Sequence, residues 1–366
     1  MTLFLFGPTA RLGCQLLLLV LAVYTSSCAG ARSAKDIVSE DHHQIRSFAF
    51  VGTDNVWLVS ENEGNLLLTN NGGRDWVTVQ GQAVGSRFQS VGFLDDKRGL
   101  AVNSKGQVWK SVDGGLKWAQ VAELQSAKPS EWQFMSSAQI QFVDELRALI
   151  VETFTIWRTD DGGNTWRRIF SVLNPETKGQ PDSVYFLNFN FGWVITSDGR
   201  AFQTFDGGDN WVTVSLGKSV NAKDVAFANW QTRFVLAFSS LPPYSQIYRT
   251  MDAGKTWTSL SLLDPNAVIS SISLVNEHEG WAAGEIWTGD PKTSTAVLLH
   301  TLDGGNNWHR VQLPQAEPFF YRVRFVDSQH GWLFARDNIY RTDDSGNNWQ
   351  IVLKFPPAKT DHDADR

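Results

Sequence analysis

Apolar residues recur along this chain in a fixed register. An apolar anchor stands at Phe50, Phe93, Phe142, Phe186, Phe227, Leu274 and Phe325, with a second apolar residue two positions earlier at Phe48, Val91, Ile140, Val184, Val225, Ile272 and Val323. A period of two places one side of a strand in an apolar layer. Seven residues after each anchor comes another large apolar side chain: Trp57, Leu100, Leu149, Trp193, Phe234, Trp281 or Trp332. Positions between the apolar ones are mostly small or polar. Ala49, Gly92, Gln141, Tyr185, Ala226, Ser273 and Arg324 stand one before the anchor, and Ser47, Ser90, Gln139, Ser183, Asp224, Ser271 and Arg322 three before it. Turn residues divide the first repeat into four short predicted strands, Ser47–Gly52, Val56–Ser60, Leu66–Asn70 and Trp76–Val79.

A polar pattern runs in step with the apolar one. Thr/Ser-x-Asp-x-Gly-x-x-Trp occurs at Thr69–Trp76, Ser111–Trp118, Thr159–Trp166, Thr204–Trp211, Thr250–Trp257, Thr301–Trp308 and Thr342–Trp349, with successive tryptophans 41 to 51 residues apart. Short β-rich units at such a period are the signature of propeller blades. The prediction is an all-β, seven-bladed β-propeller over residues 44–354, with one of these Asp-box hairpins per blade. Asp113, Asp161, Asp206, Asp252, Asp303 and Asp344, and Asn71 in the first copy, are expected to accept hydrogen bonds from their own turns. Trp76, Trp118, Trp166, Trp211, Trp257, Trp308 and Trp349 open the outer strands and cover the hairpins. Ala253 and Ser345 replace the first glycine of the fifth and seventh copies. A reaction needs one asymmetric constellation, so seven equivalent hairpins read as scaffold.

Composition narrows the class. Hydrophobic residues make up 42% and charged residues 19%, as in a packed globular chain, and a net charge of −6 without a basic stripe argues against a nucleic-acid partner. Before residue 32 the only charge is Arg11, and Leu12–Tyr24 is an apolar run of signal-peptide length. Two exits are open. Thr25-Ser26-Ser27-Cys28 resembles a lipobox, giving a signal peptide over 1–27 and a diacylated Cys28, whereas Ala29-Gly30-Ala31 offers cleavage before Arg32. The lipoprotein reading is preferred, because Cys14 and Cys28 are the only cysteines and processing leaves no pair for a disulfide. Residues 28–43 then form a linker and 355–366 a polar, aperiodic tail.

Candidate chemistry is sparse. Arg322 and Arg324 share one side of a strand and would line an anion-binding channel, or else pair with Asp224 or another acid, or simply line a solvated pore. Tyr185 and Asp224 stand in the same register. Irregular stretches at Leu124–Trp132, Leu173–Asp182 and Glu285–Thr295 read as binding loops or inert insertions, with Trp132 and Trp287 as the aromatic contacts to test. Histidines lack metal-ligand spacing, and nucleophile-elbow, phosphate-loop and dinucleotide motifs are absent. No metal, cofactor or catalytic residue is predicted. Asp-boxes also occur in sialidases and other glycosidases, which need two carboxyls or a tyrosine with a carboxyl partner. Tyr185 and Asp224 keep that alternative open, as they do a cell-surface glycan-binding module, although the sialidase Arg-Ile-Pro motif is missing.

The seven Asp-boxes, several preceded by Gly-Trp as at Gly192-Trp193, Gly280-Trp281 and Gly331-Trp332, resemble those of the photosystem II stability/assembly factor family and its bacterial relatives. The resemblance covers residues 44–354. It implies a non-enzymatic propeller on the outer side of a membrane, with photosynthetic members acting as assembly chaperones for a membrane protein, some through an arginine patch. The expectation is therefore an exported, lipid-anchored, periplasmic or extracytoplasmic monomer that binds a membrane-associated protein or peptide client.

Overall fold

Twenty-eight strands follow one another, with no helix among the described residues. The computed structural model describes residues 45–60, 65–79, 87–124, 139–152, 155–171, 181–196, 198–216, 220–290, 293–313 and 315–355. Cys28, the signal segment, the linker, the tail beyond Phe355, Trp132 and most of the first two irregular loops lie outside them.

The strands form seven four-stranded antiparallel sheets, each made of four consecutive strands. The first blade runs through Ile45–Val51, Asn55–Ser60, Leu66–Thr69 and Val77–Val79. No sheet mixes strands from the two ends of the chain. Closure of the ring therefore rests on side chains. Val56, Leu58, Leu67 and Trp76 of the first blade pack with Trp332, Phe334, Ile339 and Leu353 of the seventh in one buried cluster. The same kind of layer separates the other blades. Between the sixth and seventh, Trp281 stacks on Phe325 at 4.2 Å and meets Trp349 edge-on. Trp193, Trp281 and Trp332 are among the largest side chains fully buried. Removal of such an indole costs about 3–5 kcal/mol.

The hairpins are chemically uniform. In the fourth blade Thr204 Oγ1 donates to Asp206 Oδ1 at 2.8 Å and accepts from Gly208 N–H at 2.8 Å, while Asp206 Oδ1 accepts from Asn210 N–H at 2.8 Å. Asp113, Asp161, Asp252, Asp303 and Asp344 accept in the same way from Lys117, Thr165, Thr256, Asn307 and Asn348, and Asn71 from Asp75. Hydrogen bonds from Asn210, Thr256 and Asn307 pull the carboxyls of Asp206, Asp252 and Asp303 down to about 2. The second glycine has its own reason. At Gly346, with φ of 76°, an added Cβ would lie 2.2 Å from Trp281.

Cations tie several of the hairpins to the blade before them. Lys110 Nζ donates to Gly162 O at 3.0 Å, Arg158 Nη1 to Gly207 O at 2.7 Å and Arg249 Nη1 to Gly304 O at 2.6 Å. Arg341 closes the circle by reaching Asp54 of the first blade at 2.9 Å. A Cβ at Gly207 would lie 2.1 Å from Arg158 Nη1, and one at Gly72 only 1.1 Å from Arg341 Nη1. The incoming guanidinium occupies the space that a side chain would need. Ala253 and Ser345 follow blades that offer Gln203 and His300 at the latching position, so the two substitutions in the Asp-box pattern fall where no Lys or Arg arrives there.

Candidate functional site

The first strand of each blade is the innermost. In the seventh blade it runs Phe320–Phe325, in the fourth Pro181–Phe186 and in the fifth Asn221–Phe227. A β-bulge falls between Phe320 and Arg322, Pro181 and Ser183, and Ala222 and Asp224. It resets the register just ahead of the polar positions.

Short side chains at those positions join neighbouring blades. Ser47 and Ser90 are buried and lie 2.9 Å apart across two blades, and Ser273 Oγ accepts Phe325 N–H of the next blade at 3.0 Å. Gln141 Oε1 accepts Phe186 N–H at 3.1 Å, and Gln141 Nε2 donates to Phe186 O at 2.8 Å. In a radial sheet both sides of the innermost strand abut neighbouring blades, so short side chains there fasten one blade to the next. Only longer side chains extend past that contact toward the axis.

Tyr185, Asp224, Arg322 and Arg324 come together around the axis. Tyr185 stacks on Phe227 of the fifth blade at 4.7 Å. Asp224 accepts Ser183 Oγ at 2.8 Å, and burial raises its pKa against the opposing pull of Arg322. Arg322 lies over the Phe48 ring at 5.2 Å. Desolvation lowers the pKa of Arg324, with Tyr185 opposing and Arg322 adding to the fall. Arg324 is nevertheless exposed to solvent. A narrow channel reconciles the two facts, because a side chain inside it touches water while protein crowds it on every side.

The expected alternative, an ion pair with Asp224, is not what the side chains form. Among the described residues neither Arg322 nor Arg324 makes a salt bridge, and Arg324 has no hydrogen-bond partner within the protein. Two guanidinium groups with open donors, one aromatic hydroxyl and one half-buried carboxyl form an asymmetric anion-binding constellation. Asp224 is the one acidic residue among the described side chains of the innermost strands. No group of three potential metal ligands occurs among the described residues.

Trp287 is far from this constellation in the fold. It lies half-buried just past the second strand of its blade, and its backbone N–H donates to Asn266 O at 2.9 Å. Trp132 lies outside the described residues. Sequence reasoning missed Arg233, which is fully buried over Trp193 at 4.6 Å with no hydrogen bond from its guanidinium among the described residues. Burial lowers its pKa to about 10. The sequence signal was present, since glycine or a small residue stands at this position in most of the other blades.

With this geometry in place, comparison with known proteins is decisive. A family model described as photosynthesis system II assembly factor YCF48 matches residues 82–215 and 210–356. The chain belongs to the YCF48 family. It is 28% identical over 263 residues to the photosystem II assembly lipoprotein Ycf48 of Synechococcus sp. (strain CC9902), covering 71% of this chain and 73% of that protein. A solved structure described as YCF48 bound to D1 peptide superposes with a TM-score of 0.63 at 18% identity, covering 86% of this chain and 96% of that one. A GH74 xyloglucanase from Xanthomonas campestris superposes with a TM-score of 0.67 at 11% identity, covering 89% of this chain and 56% of the enzyme. At such identities the superpositions show the shared propeller fold.

Proposed function

We propose that this YCF48-family chain is an exported, lipid-anchored, non-enzymatic assembly factor that holds a peptide of a photosystem II protein. The client segment is a D1-type peptide, by analogy with the related protein seen with such a peptide. The observation carrying the reading is the pair Arg322 and Arg324, whose guanidinium donors have no ion-pair partner among the described residues and stand beside Tyr185 and Asp224. A carboxylate on the client would accept from both arginines, and a rigid ring keeps the ordering cost of binding on the client side. The protein acts as a monomer anchored through Cys28, with the tether entering at Ile45.

Titration of a fluorescent D1 peptide into the mature protein tests the proposal. Saturable binding that Arg322→Ala/Arg324→Ala weakens by about tenfold or more is expected. Equal affinity in the variant would remove the arginines from the site. A glycoside screen should show no turnover. Turnover lost in Asp224→Asn would establish the hydrolase reading instead. The mass of the mature N-terminus distinguishes acylated Cys28 from free Arg32.

A further inference from the structure

One end of the ring carries a second surface, independent of the channel. In each blade the turn between the first and second strands meets the Asp-box hairpin at this end. Gly207 N–H donates to Asn190 O at 2.9 Å, Ala253 N–H to Gln231 O at 3.0 Å and Gly304 N–H to His278 O at 2.7 Å. On the fourth, fifth and sixth blades it displays Phe205, Trp230, Met251 and Leu302, which are 62%, 59%, 58% and 65% exposed. Three of the four occupy the x position after the threonine of the Asp-box, where the first, third and seventh blades have Asn70, Asp160 and Asp343 and the second has Val112, also exposed. Consecutive blades with large apolar tips make an arc, and large apolar side chains so exposed mark contact sites.

The arc is acidic as well as apolar. Its turns and hairpins hold Asp206, Asp209, Asp252, Glu277 and Asp303, against Lys255 as their single Lys or Arg. Asp206, Asp252 and Asp303 have no ion-pair partner among the described residues, and their hydrogen bonds keep them ionised far into acid. Asp209 meets Arg167 of the third blade at 2.6 Å, and Glu277 accepts Asn229 Nδ2 at 2.9 Å. Elsewhere on the face some acids outside the Asp-box position meet guanidinium groups, as Asp95 with Arg98, Asp144 with Arg147, Asp160 with Arg158 and Asp343 with Arg341. At the border of the arc, Arg147 and Arg158 lie over the ring of Phe189 at 3.8 and 4.0 Å.

We infer that the arc of Phe205, Trp230, Met251 and Leu302 is a docking surface for a partner protein segment that presents apolar side chains interspersed with Lys or Arg. Apolar contact supplies the attraction, and the fixed carboxylates select basic partners. A second copy of this chain would set acid against acid. An anionic bilayer would be repelled by the same carboxylates. The strand directions also place Ile45 and Phe355 at the opposite end of the ring.

The test uses the mature protein and three labelled peptides, of alternating Leu and Arg, Leu and Glu, and Ser and Arg, read by fluorescence anisotropy. Binding is expected for the Leu/Arg peptide alone. Trp230→Ser/Met251→Ser and, separately, Glu277→Lys should each weaken it by about tenfold. Leu241→Ser at the opposite end should leave the affinity unchanged, and thermal melting of each variant verifies folding. Equal binding of the Ser/Arg peptide, indifference to Trp230→Ser/Met251→Ser, or loss in that variant of self-association or of binding to anionic vesicles would each overturn the inference.

Discussion

The Asp-box hairpins and the axial constellation are built from the same residue types and put them to opposite use. In the hairpins every Asp carboxylate already receives donors from its own turn, and the cations reaching in from Lys110, Arg158 and Arg249 end on backbone carbonyls. Around the axis, Tyr185, Asp224, Arg322 and Arg324 each occur once in their register, and the two guanidinium groups retain open donors. Repeated polar groups have their hydrogen bonds filled by the scaffold, whereas the unrepeated ones are free to meet a ligand. That difference decides where function is sought on a ring whose most conspicuous residues are structural.

The contrast is broken most severely from the hairpin side. Trp332→Ala should lose about 3–5 kcal/mol in denaturant unfolding, because Trp332 is fully buried between the seventh and first blades. Thr204→Val should cost about 1–3 kcal/mol, since it leaves the buried Gly208 N–H without its acceptor. Neither change should alter peptide affinity in protein that remains folded. Arg322→Ala/Arg324→Ala should do the reverse, losing the peptide while stability moves by less than about 1 kcal/mol. A large stability loss there would make the arginines structural.

Titration sharpens the same contrast. The Asp206, Asp252 and Asp303 carboxyls, at about 2 in the folded state, lie below the usual value of 3.8. Their contribution is present above pH 3.8 and is lost as pH falls through 2, so melting temperature should be flat from neutral pH to about 5 and then drop. Asp206→Asn should make that acid-side drop shallower. Asp224 has the opposite sign, because burial raises its pKa. Its favourable contribution belongs to low pH and is lost as pH rises. Asp224→Asn should therefore leave the melting temperature at pH 7 unchanged or slightly higher, the smallest effect of the series.

Much of this was legible in the sequence, and the exceptions share a cause. The anchor at Phe325, the alternation before it and the Asp-box at Thr342–Trp349 are local patterns, and local patterns fix strands and hairpins. The common register of Tyr185, Asp224, Arg322 and Arg324 was readable in the same way. That Ser47, Ser90 and Ser273 bond to the neighbouring blade was not readable, because periodicity names the two sides of a strand but not what faces each. The latch from Arg341 to Asp54 joins residues 287 apart and leaves no periodic trace. Phe205, Met251 and Leu302 are single variable positions in three separate repeats, and only ring topology lines them up on one end.

The most direct test of the central claim is a structure of this protein with a D1 peptide bound. A peptide carboxylate within hydrogen-bond distance of the Arg322 and Arg324 guanidinium groups, with all seven hairpins unchanged, is the predicted result. A peptide seated against the Asp-box acids, with no contact to either arginine, would contradict it.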